Sequence, residues 1–127
     1  MTTGVAVAQS LDGNAPEALA TIEKALHVSP DEFAWSSDAI RIRGELRRRL
    51  GQTDAAEADF RDAIALAQKI GAKALTLRAV VDLARMLGKR GKRAEARDLL
   101  APVYATFTEG FDTRDLIEAK ALLEELA

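Results

Sequence analysis

The sequence predicts an all-α solenoid of stacked antiparallel helix pairs, and three observations carry that expectation. A glycine-led pattern is written three times: GNAPEALATIEKAL from Gly13, GQTDAAEADFRDAI from Gly51 and GKRAEARDLLAPVY from Gly91. The glycines stand 38 and 40 residues apart, and a period in this range marks stacked supersecondary units. Alanine and leucine supply most of the 48% apolar content, while aromatics reach only 5%, so there is little β-branched material for a sheet. Apolar residues also recur at helical spacing, with three prolines and eight glycines to interrupt them over 127 residues.

Each element has a local reason. Val5 to Leu11 is expected to form a short helix or half of one. Ala15 to His27 reads as a helix with Ala18, Ile22, Ala25 and Leu26 on one face. Ser29-Pro30-Asp31-Glu32 is a start signal: Ser29 caps, Pro30 suits the first helical position and Glu32 completes a capping box. The second helix then runs to about Leu50. It bears one stripe of Trp35, Ala39, Ile42, Leu46 and Leu50 and a second of Phe33, Ile40 and Gly44, which implies neighbours on two sides. Gly51 ends it in a left-handed conformation.

Thr53 or Asp54 is expected to cap the next helix, which turns Ala56, Phe60, Ala63, Ile64 and Ala67 inward. Gly71 marks a break. A helix from Ala72 to about Lys89 presents Leu77, Val80, Val81, Ala84 and Leu87, and Gly88 and Gly91 bracket the following turn. Arg93 to Phe107 forms the next helix, with Ala96, Leu99, Leu100 and Val103 apolar. Pro102 lacks an amide donor and predicts a kink or an early end there. Thr108 to Phe111 is a loop, and Asp112 or Thr113 starts a last helix holding Leu116, Leu123 and Leu126. The loops are short, and the length fits one domain over 1–127.

Few residues offer chemistry. The chain has no cysteine, which removes disulfides and thiol catalysis. His27 is the single histidine, near a helix end where a cation suits the dipole, and no further ligands cluster around it. Asp54, Glu57, Asp59 and Asp62 lie at helical spacing and are expected mostly to face solvent. No catalytic, metal-binding or cofactor-binding residue emerges, and the chain reads as a non-enzyme. No apolar run is long enough to span a membrane. The N-terminus lacks the basic start and long apolar stretch of a signal peptide, so a cytoplasmic location is expected.

The glycine-led copies resemble the tetratricopeptide repeat. The middle copy fits best, with Gly44 as the small crossing residue, Gly51 at the turn, and Ala56, Phe60 and Ala63 as the second-helix signature. In the third, Leu83, Ala84 and Leu87 precede Gly91, and Ala96 and Leu100 follow it, with Val103 in place of the final alanine. The first copy keeps Gly13, Ala18, Ile22 and Ala25 but lacks most of a first helix. Arg43 and Arg47 stand where the family has an apolar and an aromatic residue. The resemblance implies a right-handed superhelix: a half unit at about 5–28, units at about 30–70 and 72–107, and a capping helix at about 112–126. Glu118, Glu124 and Glu125 would wet the terminal face.

The long spacing, and a tail reading FTEGFDT, resemble the C-terminal arrays of large bacterial signalling proteins that carry an ATPase, a nucleotide cyclase or a DNA-binding domain. That resemblance implies a regulatory or oligomerisation scaffold acting in cis on such a domain. The incomplete first unit is expected to expose an apolar edge that packs against another copy or against upstream repeats.

Charge allows two readings of the basic residues. Charged residues make up 30% of the chain, with a formal net charge of −2. Arg41, Arg43, Arg47, Arg48 and Arg49 crowd one helix, and Arg85, Lys89, Arg90, Lys92, Arg93 and Arg97 crowd the third turn. One reading is a solvated face with cations late in helices. In the other, the first helices of each unit line a concave groove, presenting Arg41, Glu45 and Arg48, then Arg78, Asp82, Arg85 and Lys89. The partner would be a protein or peptide segment, polar or acidic. The overall negative charge and the split of the cations over two units weigh against nucleic acid.

Overall fold

The helix boundaries follow from one turn used repeatedly. Gly51, Gly71 and Gly91 all take positive φ, at 79°, 70° and 81°. After each, the next amide reaches back five residues, Gln52 to the Arg47 carbonyl, Ala72 to Ala67 and Lys92 to Leu87, at 2.8–2.9 Å. That is the left-handed termination in which a glycine lets the last carbonyls of a helix find donors. Gly71 belongs to the series as fully as the other two, so the turn recurs every 20 residues and each repeat holds two.

A computed structural model describes the backbone of residues 15–28 and 33–127 and the side chains of residues 16–24 and 37–127. Among the described residues there are six α-helices and no strand: α1 Ala15–Val28, α2 Phe33–Arg49, α3 Thr53–Lys69, α4 Lys73–Lys89, α5 Arg93–Ala105 and α6 Arg114–Leu126. Val5 to Leu11, Gly13 and the Ser29–Glu32 capping box lie outside the described residues. So do the side chains of Ala25, Leu26, His27, Phe33 and Trp35.

Several local expectations change. Thr53 and Asp54 do not cap α3: Gln52 occupies that position with no side-chain bond, and Thr53 is already helical. Asp54 still places negative charge in the first turn, where the helix dipole favours it. Gly88 is no turn residue. It lies inside α4, where an added Cβ would come within 3.1 Å of Leu126 Cδ2 on α6. α5 carries Pro102 and ends at Ala105, two residues before the expected Phe107.

Consecutive helices pack on each other along the chain, and α2 also touches α4, as α4 touches α6. No comparable approach joins α3 to α5. α2, α4 and α6 thus form a contiguous inner layer, while α3 and α5 stand apart on the outside, bridged by the long Arg61–Glu95 pair at 3.4 Å. A layer whose members touch is the shorter side of a bend, so the inner helices line the concave side of an all-α solenoid.

The main core lies between the layers. Phe60, Leu77, Val80, Leu83, Leu87 and Leu100 are fully or almost fully buried within it. A smaller second core, Ala18, Ile22, Ala39, Ile42 and Leu46, joins α1 to α2. Burial of a ring the size of Phe60 contributes roughly 1.5–3 kcal/mol. Gly44 makes that burial possible: a Cβ there would sit 2.9 Å from Phe60 Cε1, so α2 and α3 cross at this point. No described helix is long and apolar enough to cross a membrane.

Candidate functional site

The arginines of α2 divide between two faces. Toward α3, Arg43 and Arg47 converge on Asp59, which is 2% exposed. Arg43 holds it as a fork, Nη2 to Oδ1 at 2.8 Å and Nε to Oδ2 at 3.1 Å. Arg47 Nη1 donates to both carboxylate oxygens at 3.0–3.1 Å, and its Nη2 reaches Glu23 of α1 at 3.4 Å. Its Nε is buried with no partner among the described residues. Nearby, buried Ser37 donates to the Ala63 carbonyl at 2.9 Å. Asp59 was expected to face solvent with Asp54, Glu57 and Asp62, and the structure corrects this. An acid one residue before the core Phe60 serves two cations that have replaced apolar neighbours. This cluster ties α1, α2 and α3 together and lies away from the concave surface.

The other face of α2 opens onto the inner layer, where five of the seven sequence-derived groove candidates line one cleft of about 560 Å³. Arg41 and Glu45 come from α2, and Arg78, Asp82 and Arg85 from α4. The remaining two, Arg48 and Lys89, line a smaller adjoining hollow of about 40 Å³ that also touches Glu45, Asp82 and Arg85. Helical spacing explains the convergence, because residues three and four apart share a face and two such rows meet where α2 packs on α4.

Most of these charges are engaged. Arg41 bridges the two helices, donating to Asp82 at 2.9 Å and to Asp38 at 3.1 Å. Arg48 forks onto Glu45 at 2.6 and 2.9 Å, and Arg49 adds a bond of 3.3 Å to the same carboxylate. Arg78 crosses to Asp115 on α6 at 3.0 Å. Arg85 lies a looser 3.7 Å from Asp82. Lys89 is exposed, with no ion pair among the described residues.

Proton affinities follow this wiring. Burial raises the Asp82 carboxyl above its ordinary range and outweighs the pull of Arg41, with Glu45 adding repulsion. Burial acts to lower Arg41, but the charges of Asp82 and Asp38 outweigh it and hold the guanidinium above its usual value. For Glu45, burial pushes up and the bonds from Arg48 and Arg49 pull down harder, so the carboxyl ends below its usual range. Arg48 is raised in turn, chiefly by its bond to Glu45.

Periodicity missed several lining residues. Leu77 and Val81 lie buried at the base of the cleft, although they read as interior positions alone. Arg114, Asp115 and Glu118 supply its third wall from α6. That helix, read as the terminal cap, is also a member of the inner layer through its contact with α4, and Glu118 lines the cleft. The spacing of inner-layer helices offered a signal: α6 follows α4 by about one repeat, as α4 follows α2.

The site is lined by charged groups, with Leu77 and Val81 buried beneath them. Among the described residues no acid or histidine group has metal-binding geometry. The cleft can bind by complementary charge, and nothing in it assembles a nucleophile with a base.

Comparisons with known proteins agree with this architecture. A family model described as the tetratricopeptide repeat matches residues 37–109. No protein of curated function matches the chain. Among solved structures, the type III secretion translocator chaperone SycD of Yersinia enterocolitica superposes with a TM-score of 0.76 at 18% identity, covering 98% of this chain and 80% of that one. The same chaperone in complex with a peptide of the translocator YopD gives 0.76 at 19% identity, with 98% and 88% covered. A Podospora anserina protein with nearly identical TPR-like repeats, described as a kinesin light chain, gives 0.77 at 19%, with 98% and 63% covered.

Proposed function

This chain belongs to the tetratricopeptide repeat family, and on that premise we propose that it is a non-catalytic interaction module holding a partner segment in the groove of α2, α4 and α6. One observation carries the proposal: residues from three inner helices, separate in sequence, line a single cleft on the concave side. The cleft is large enough for a few side chains, at about 560 Å³, and too open and charged for a small apolar ligand. The similar SycD fold is known in complex with a peptide of YopD, which supports a peptide-like occupant here. The partner segment is polar and includes acidic residues able to meet Arg85 and Lys89, the groove cations least engaged among the described residues. A regulatory role in cis on an ATPase or nucleotide cyclase rests on the tail resemblance and draws no support from the geometry.

The test is a pull-down in which the parent chain is compared with the Arg48→Glu, Arg85→Glu double variant, folding being checked by circular dichroism. A partner identified with the parent should be lost by about tenfold or more, a change of about 1.4 kcal/mol. Unchanged recovery by a folded double variant overturns the groove assignment.

A further inference from the structure

The three walls of the cleft do not carry the same charge. Over Phe33–Arg49, α2 has five arginines against Asp38 and Glu45, a net +3. Two of those arginines, Arg43 and Arg47, share the single Asp59 behind it. Over Arg114–Leu126, α6 has Arg114 and Lys120 against Asp115, Glu118, Glu124 and Glu125, a net −2. The residues facing the cleft repeat the trend, with Arg41 and Arg49 against Glu45 on α2, and Asp115 and Glu118 against Arg114 on α6. Between them, α4 contributes Arg78, Asp82 and Arg85, with Leu77 and Val81 buried beneath. Arg78 pairs with Asp115 and Arg114 with Glu118, yet the net charge of the lining still runs from positive on α2 and α4 to negative on α6.

From this charge complementarity we propose that the groove selects a bipolar segment, acidic at one end and basic at the other. It lies across the inner layer with its acidic end toward α2 and its basic end toward α6. The proposal rests on the groove reading above and narrows its partner chemistry. A uniformly acidic segment would meet Asp115 and Glu118 at the far wall, and like charges in apposition disfavour binding. A uniformly basic one would meet Arg41 and Arg49. Only a segment of both signs satisfies both walls at once. Exposed charges of this kind are screened by salt, so selectivity is greatest at low ionic strength.

Three end-blocked peptides test this, Glu-Glu-Leu-Val-Lys-Lys, Glu-Glu-Leu-Val-Glu-Glu and Lys-Lys-Leu-Val-Lys-Lys, each measured against the full chain by calorimetry at low and high salt. The bipolar peptide should bind about tenfold or more tightly than either uniform one at low salt. A photo-crosslinker at its acidic end should label α2, and should move to α6 in the Arg49→Glu, Glu118→Lys variant. Equal or tighter binding of a uniform peptide overturns the polarity while leaving the groove reading intact. So does an acidic end that labels both helices alike. Binding that survives Arg48→Glu, Arg85→Glu unchanged for every peptide overturns the groove reading itself, and absence of binding by all three at millimolar concentration overturns the bipolar segment.

Discussion

The two faces of α2 use the same chemistry to different ends. On one, Arg43 and Arg47 meet Asp59 at 2% exposure. On the other, Arg41, Arg48 and Arg49 meet Asp82 and Glu45, whose side chains are 15% and 29% exposed. Burial separates the roles. A carboxylate closed off from water must be matched by its cations, and losing it leaves them stranded in a medium of low polarity. A more exposed pair, such as Glu45 with Arg48 or Arg49, loses little when broken, because water and salt replace the partner. The first face is structural glue, and on the second the Glu45 pairs can be broken at low cost.

The largest test of that contrast is Asp59→Ala, which leaves two partly buried guanidinium groups with one exposed carboxylate, Glu23, between them. It is expected to cost about 3 kcal/mol, measured by urea denaturation, whereas the groove variants Arg48→Glu and Arg85→Glu should each stay within about 1 kcal/mol. A loss from Asp59→Ala no larger than theirs would erase the distinction.

Gly44→Ala probes the same face through packing. The new Cβ meets Phe60 and Asp59 at 2.9–3.0 Å, so a loss of about 1–3 kcal/mol from overpacking should outweigh the roughly 1 kcal/mol that alanine gains over glycine in a helix. Thermal unfolding of the variant at or above the parent Tm would contradict the close crossing of α2 and α3.

The smallest effect sharpens the groove side and depends on pH. Glu45, held below its ordinary 4.5, contributes stability that is present above that value and lost as pH falls through its folded value. Asp82, raised above 3.8, has the opposite sign: the folded state takes up its proton first, so acid favours folding at this group. Between neutral and acidic pH, Glu45→Gln should therefore lose less stability than the parent, and Asp82→Asn more. Denaturation midpoints at the two pH values check both, and identical losses in all three proteins would remove the predicted opposition.

Legibility in the sequence varied with the range of the interaction. The Gly51 and Gly91 terminations, the Ala56–Phe60–Ala63 signature and the inward row Leu77, Val80, Val81, Ala84 and Leu87 depend on residues within a few turns of each other, and all could be read directly. Arg41, Glu45, Arg48, Arg78, Asp82, Arg85 and Lys89 could be placed on the faces of two helices by spacing alone. Their convergence on adjoining clefts needed the packing of α2 on α4. Asp59 was misread because helical spacing among acids resembles a solvated face, and only the approach of α3 to Arg43 and Arg47 distinguishes it. Gly88 was misread as punctuation because a glycine near a turn looks the same whether it bends the chain or admits Leu126 of another helix.

The sequence by itself determined the repeat, the helices and the small residues that let them cross, since hydrophobic period and backbone stereochemistry are local properties of the chain. The tertiary structure alone decided which arginines became buried glue and which lined the groove, and it made the terminal helix α6 a wall of that groove. Those outcomes depend on desolvation and on charge partners brought in from other helices, and neither has a value until the layers are packed.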